Sequence, residues 1–256
     1  MQTFDKERFV FENYRMTPYS RISFFGNFFR CHRISILTRS FFFRKSWIDS
    51  SSKSAPSPDF YNEKHHVMME VMRVDDYLNL GNEKHPHNSA SRANALMEKL
   101  FGDNYKETKD DPDEISVYCV LDTSNSAEYN FKGYLQNFER VVSKHSMRVD
   151  AYHRNHPKCK ELIFMIFDES NAYYQLLDGN KKNIHLWFKD HDFVEIIKKC
   201  RADYVIWFCV NKSMIHNNKE IKLPIVCIYD VKGLKDGTMA YDHNSMLNLS
   251  DEQQIR

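Results

Sequence analysis

The sequence of residues 57–72 is SPDFYNEKHHVMMEVM, which places the carboxylates Asp59 and Glu70 with ten residues between them. Polar residues at 62–64 predict a turn within this interval, and 66–74 is apolar apart from Glu70 and Arg73. A run that is rich in Val and Met and free of Gly and Pro is typical of a buried strand. We therefore predict a β-hairpin whose second strand carries one acid.

A hairpin that turns at Lys64 and His65 brings Asp59 opposite Glu70, because both lie equally far from its midpoint. Directly opposed side chains have Cβ atoms about 4.5–5.5 Å apart, and like charges at that distance destabilise a sheet. A hard divalent cation removes the repulsion, since it binds carboxylate oxygens. The spacing therefore predicts a Mg²⁺ or Mn²⁺ site at Asp59 and Glu70. The alternatives are an ion pair of Glu70 with Arg73 or a distant lysine, and ordinary Pro-Asp turn chemistry at Asp59.

The pattern of Pro58-Asp59, ten residues and Glu70-Val71-Met72 resembles the active-site signature of the PD-(D/E)XK nuclease superfamily. The likeness covers about sixteen residues of the 256. It implies a hairpin inside a restriction-endonuclease-like α/β core and metal-dependent hydrolysis of phosphodiesters. It also implies that Asp59, Glu70 and the carbonyl of Val71 ligate the metal.

The chain departs from that signature at Met72, where the family has a lysine. Methionine supplies neither a charge nor a proton donor. Lys144 or Lys132, on the polar face of a predicted long helix, would have to act from outside the motif, and we favour Lys144 because it lies in the helix interior.

Three functions remain open at this stage: an active nuclease, a related binding or accessory module whose site has decayed at position 72, and an α/β protein without nuclease kinship. The first two place Asp59 and Glu70 within reach of one metal ion. The third leaves them pointing apart.

The rest of the chain alternates between helical and strand-like patterns. Apolar residues repeat at helical spacing over 130–152, and apolar runs without clean alternation predict strands covered on both faces. Further helices are predicted over 88–101 and 191–200, strands over 114–121, 161–167, 202–210 and 223–231, and a hairpin from 172–177 with 183–188. This order predicts an α/β fold with a mixed central sheet flanked by helices.

Asp168 follows the strand predicted for 161–167, and ligands of α/β proteins gather at the carboxyl ends of strands. We keep Asp168 as an auxiliary acid, with a capped turn as the favoured alternative.

Residues 13–48 contain seven Lys and Arg and no Asp or Glu, together with eight Phe and Trp residues. We predict one or two amphipathic helices there, with Ile22, Phe25, Phe28 and Phe29 on one face. Packing of the aromatics on the core is the favoured interpretation. The alternatives are a surface that contacts DNA or RNA, and a helix for a membrane surface or a partner. The predicted organisation is a basic aromatic-rich helical segment over 1–50 packed on the core, an α/β nuclease-like domain over 51–245 and a polar tail over 246–256.

The composition bounds the compartment of the protein. A net charge of +1 produces no overall electrostatic attraction to nucleic acid or to a membrane. No apolar run approaches the ~20 residues of a membrane helix. The first twelve residues lack the apolar core of a secretory signal. None of the six cysteines forms a C-x-x-C pair, a usage that fits a reducing compartment. We expect a cytoplasmic protein without disulfides or a membrane partner.

Overall fold

A computed structural model describes most of the chain, in segments. These are residues 4–51, 56–76, 130–177, 182–209, 212, 214–216, 219–221, 223–235 and 237–248. The helix predicted over 88–101 and the strand predicted over 114–121 lie outside the described residues.

Six α-helices lie in the described segments. They are α1 (Phe4–Met16), α2 (Phe28–Arg39), α3 (Phe41–Arg44), α4 (Phe131–Ser146), α5 (Val149–Asn155) and α6 (His191–Lys199). The helix predicted over 130–152 is therefore two helices, with the break at residues 147–148. The side chain of Asn130 caps α4 by accepting from the Gly133 amide, and Pro157 prevents α5 from continuing much further.

The strands of the described segments form one large sheet and two small ones. They are β1 (Ile22–Phe25), β2 (Ile48–Asp49), β3 (Phe60–Asn62), β4 (Val67–Val74), β5 (Glu161–Asp168), β6 (Tyr173–Leu176), β7 (Lys182–Ile184), β8 (Tyr204–Cys209), β9 (Met214–His216), β10 (Lys219–Ile221), β11 (Val226–Asp230) and β12 (Met246–Asn248). The large sheet has the order β1-β11-β8-β5-β4-β3-β2, and the small ones are β12-β6-β7 and β10-β9.

The seven-stranded sheet is mixed, as predicted. Strands β4, β5 and β8 run parallel, so their carboxyl ends meet at one edge. Strands β2, β3 and β4 form an antiparallel meander, and β11 runs antiparallel to β8 and parallel to β1. The sheet and its helices confirm the predicted α/β class.

Alternate residues of β4 enter two separate hydrophobic clusters. Met68 and Met72 join the cluster that contains residues of α4 and α6, whereas Met69 and Val71 join the one that contains residues of α1 and α2. The sheet is therefore covered on both faces, which explains why its strands are continuously apolar in sequence. Glu70 shares the period of Met68 and Met72, which puts it on the face covered by α4.

The structure of the basic segment 13–48 differs from its prediction in two respects. Ile22–Phe25 is a strand rather than part of a helix, and it supplies an edge of the large sheet. A run of four residues with three apolar side chains fits either period, and pairing with β11 decides between them. The aromatics also pack only in part, because one group of phenylalanines is exposed, with Phe42 reaching 90%. The group consists of Phe28, Phe29, Phe41 and Phe42.

The polar tail was predicted to begin at residue 246, but the folded part of the chain extends beyond that point. Met246–Asn248 forms β12, antiparallel to β6, and the side chain of Met246 is buried. The hairpin predicted from 172–177 and 183–188 is confirmed by the antiparallel pairing of β6 with β7. Residues 187–189, however, form a 3₁₀ turn instead of a strand.

The described segments include no helix with the length and apolar character needed to cross a membrane. Their five cysteines are buried and unpaired by disulfides. Cys119 lies outside the described residues.

Candidate functional site

The β3–β4 hairpin has the register that the sequence predicts. Phe60, Tyr61 and Asn62 pair with Met69, Met68 and Val67. A 3₁₀ turn joins the strands, and the Asn62 side chain caps it by accepting from the His65 amide. The predicted register is thus confirmed for these three pairs, and its continuation by one step beyond Phe60 places Asp59 opposite Glu70.

Asp59 is held between its two neighbouring strands. Its Oδ2 accepts a hydrogen bond of 2.7 Å from the amide of Val71 in β4. Its own carbonyl accepts from the amide of Ser50, just after β2, at 2.7 Å. The Ser50 hydroxyl also donates to the carbonyl of Pro58. Val71 thus meets Asp59 through its amide, and ligation by its carbonyl stays a prediction.

Glu70 is only 4% exposed, and only one of its two carboxylate oxygens forms hydrogen bonds with the described residues. Its Oε1 accepts from His145 Nδ1 at 2.7 Å and from the hydroxyl of Tyr152 at 2.8 Å. Its Oε2 is buried and makes no hydrogen bond with the described residues. Arg73 pairs with Glu169 at 2.5 Å instead, so the alternative of a Glu70–Arg73 ion pair is wrong.

The electrostatics of the hairpin site are those of crowded negative charge. Burial and then the negative charge of Glu70 raise the pKa of Asp59 to about 8, against the opposing hydrogen bond from Val71. Glu7 in α1 and Asp49 in β2 raise that pKa further. Burial and the Glu70 charge also raise the pKa of Tyr152, which keeps its hydroxyl protonated and donating.

Asp59 and Glu70 supply carboxylate oxygens of the kind that a hard divalent cation could bind. Within the described segments, neither Asp59 nor Glu70 forms an ion pair with a lysine or arginine, and His145 is the one basic side chain in contact with Glu70. A buried carboxylate oxygen without a partner costs free energy unless a proton or a cation satisfies it. Oxygen ligands from one or two carboxylates are the set that Mg²⁺ takes in proteins.

The position of the family's lysine is filled by an apolar side chain. Met72 is buried in the same cluster as Met68, on the face that also carries Glu70. Lys144 and Lys132 are both exposed on α4. The side chain of α4 that contacts Glu70 is that of His145, next to Lys144. Sequence reasoning did not identify His145 as a site residue, because it fell on the apolar face of the predicted helix.

Asp168 is wholly buried at the carboxyl end of β5, where protein groups saturate it. Its Oδ2 accepts from Tyr134 at 2.5 Å and from Trp207 at 2.8 Å, and Lys212 lies 3.4 Å away. Its Oδ1 accepts from the amide and hydroxyl of Ser170. This arrangement matches the capped-turn alternative and leaves no free oxygen for an auxiliary acid.

A second group of potential ligands lies at the start of α6. One ligand atom each from Asp190, Asp192 and His243 falls within 4.8 Å of the other two, so the group could hold a metal ion. His185 Nε2 lies 2.6 Å from Asp190 Oδ2, and both side chains are buried. Sequence reasoning missed this group, because Asp190 and His243 are about fifty positions apart.

Comparisons with known proteins add no relative to these observations: no family model, no curated protein and no solved structure matches the chain.

Proposed function

We propose that this chain binds Mg²⁺ or Mn²⁺ through Asp59 and Glu70 and hydrolyses phosphodiester bonds of DNA or RNA. The observation that carries the proposal is Oε2 of Glu70, a buried carboxylate oxygen that forms no hydrogen bond with any described residue, on the residue opposite Asp59. The resemblance of residues 58–72 to the PD-(D/E)XK signature supplies the reaction class. The hairpin lies inside an α/β core, as that resemblance implies.

The chain's own residues prepare the site in this proposal. Tyr152 and His145 hold Oε1 of Glu70, which leaves Oε2 for the ion. The Val71 amide fixes Asp59. The bound ion would lower the pKa of an attacking water and neutralise charge on the phosphate.

A second candidate function is a decayed nuclease-like module that binds without cleaving. The buried Met72 favours it, since no lysine occupies that position. Metal binding is expected in both cases, and cleavage separates them.

Contact with nucleic acid through 13–48 is part of this proposal, and the exposed phenylalanines are its best support. Several arginines of the segment already have acidic partners, since Arg44 pairs with Glu12, Arg30 with Asp230 and Arg33 with Glu161. Exposed rings stack on unpaired bases, a contact worth about 1–3 kcal/mol per base. We therefore expect Phe41→Ala and Phe42→Ala to weaken binding of single strands more than binding of duplexes.

Calorimetry with Mn²⁺ tests the metal site. We expect the wild type to bind Mn²⁺, and Asp59→Asn and Glu70→Gln each to bind one ion fewer. Glu63→Gln is a matched control, because Glu63 lies in the turn of the same hairpin and pairs with Lys158 at the surface. Wild type that takes up no Mn²⁺ at millimolar concentration would remove the basis for metal-dependent catalysis.

Cleavage of labelled single- and double-stranded DNA and RNA with Mg²⁺ or Mn²⁺ separates the two functions. An active enzyme cleaves as wild type, and Lys144→Ala slows it if that lysine replaces the missing one. A decayed module is inert, and Met72→Lys restores cleavage that Glu70→Gln abolishes. If both proteins are inert and metal-free, the chain is an α/β protein without nuclease chemistry.

A further inference from the structure

The cluster at the start of α6 is a mixed set of carboxylates and imidazoles, distinct from the all-carboxylate hairpin site. We propose that Asp190, Asp192 and His243 bind a divalent transition-metal ion, with Zn²⁺ the best match, and that His185 orients Asp190 for it. This proposal is independent of the function assigned to Asp59 and Glu70.

The ligand atoms are already close to the spacing that a metal requires. His243 Nε2 lies 3.3 Å from Asp192 Oδ2 and 3.9 Å from Asp190 Oδ2. Zinc binds imidazole nitrogen and carboxylate oxygen at about 2.0–2.2 Å, so ligand atoms of a tetrahedral ion lie about 3.4 Å apart. One pair has this spacing, and rotation of the partly exposed Asp192 side chain would bring the third atom in.

Backbone pairing brings the two sequence-distant parts of the cluster together. Asp190 forms a β-bridge with Met239. The His191 amide donates to the Met239 carbonyl at 2.9 Å, and the Met239 amide donates to Lys189 at 2.7 Å. His243 begins a 3₁₀ turn four positions later, capped by Asp242. The approach of His243 to α6 is therefore fixed by main-chain hydrogen bonds.

The buried side chain of His185 contacts Asp190, one of the three proposed ligands. His185 Nε2 contacts the same Oδ2 of Asp190 that faces His243, and Asp190 Oδ1 accepts from the Asp192 amide. The ring of Phe131 packs on both imidazoles, with centroids 5.0 Å from His185 and 4.9 Å from His243. Hydrogen bonds to ligating carboxylates orient them and support metal affinity.

The exposed side of the cluster leaves room for an exogenous ligand. The side chains of Asp192 and His243 are 46% and 27% exposed, whereas that of Asp190 is 1% exposed. Three protein ligands with one open position is the arrangement of zinc sites that bind water or substrate. The imidazole favours a transition metal over Mg²⁺, which prefers oxygen.

Titration of Co²⁺ into tag-free protein, followed by visible absorption, tests the site because bound Co²⁺ reports nitrogen ligation. The titration uses the Glu70→Gln background, so that the hairpin site does not contribute. We expect uptake of one Co²⁺, displaced by Zn²⁺, and affinity at least ~10-fold weaker when His243→Gln or Asp192→Asn is added. His191→Gln is the matched control, since His191 lies between the two aspartates but contacts Thr238.

Two results would overturn the site. One is the absence of Co²⁺ or Zn²⁺ uptake by folded Glu70→Gln protein. The other is unchanged stoichiometry and affinity in His243→Gln and Asp192→Asn. Both residues are partly exposed, so circular dichroism is expected to show folded variants. Failure here leaves Mn²⁺ binding at the hairpin untouched, because that binding is measured on the Glu70 and Asp59 variants.

Discussion

His145 Nδ1 lies 2.7 Å from Oε1 of Glu70, although the two residues belong to a helix and a strand far apart in sequence. The contact occupies Oε1 of Glu70, whereas Oε2 has no hydrogen-bond partner in the part of the chain that the structure describes. The long helix therefore contributes the imidazole of His145 to the hairpin site. Lys144, the favoured substitute for the missing lysine, is exposed one position away.

The variant Glu70→Gln should be no less stable than wild type in EDTA, and more stable by up to about 1 kcal/mol. The amide oxygen still accepts from His145 and Tyr152, while the repulsion with Asp59 disappears. Urea unfolding above the Asp59 pKa of about 8, where both acids are ionised, measures the difference, with Glu63→Gln as the control. A loss of several kcal/mol would show that the Glu70 charge stabilises the metal-free fold.

Stability of the metal-free protein should fall as pH rises through the range set by Asp59. The pKa of this carboxyl is raised from 3.8 to about 8 in the folded state, so the folded chain binds the extra proton between these values. The free energy of unfolding contributed by this group therefore declines from about pH 4 to about pH 8 and is flat above. Asp59→Asn removes that contribution, so its stability relative to wild type should increase over the same range. A constant difference across the range would contradict the raised pKa.

Removing the hydroxyl of Tyr152 should destabilise the protein. Its hydrogen bond to a buried carboxylate is of the charged kind, so Tyr152→Phe should cost about 1.5–3 kcal/mol. Thermal or urea unfolding measures the loss. Tyr19→Phe is the control with an expected effect near zero, since Tyr19 is half exposed.

The Asp168–Lys212 pair should prove structural. Asp168→Asn leaves the buried Lys212 ammonium without its counter-charge and should cost about 3–5 kcal/mol. Replacing both residues, Asp168→Asn with Lys212→Met, should recover part of that loss. An auxiliary acid would behave otherwise: stability would hold while activity fell.

The sequence was sufficient for features that depend on neighbours along the chain. The hairpin register followed from a turn centred between Asp59 and Glu70, and the α/β class followed from the order of apolar runs. Features that depend on packing did not follow. A helical period shows that His145 faces inward but not which strand residue it meets, and a four-residue run such as 22–25 becomes a strand only because β11 lies beside it.

The pairing of β1 with β11 joins Ile22 to Val226, residues roughly two hundred positions apart. Closing a loop of that length costs entropy before its contacts repay it, and such non-local pairing slows folding. During synthesis the hairpin of β3 and β4 is made early, yet β1 cannot pair until residues 226–229 have been made. Until then β1 lacks its strand partner, and unpaired apolar strand edges of this kind favour aggregation of the nascent chain.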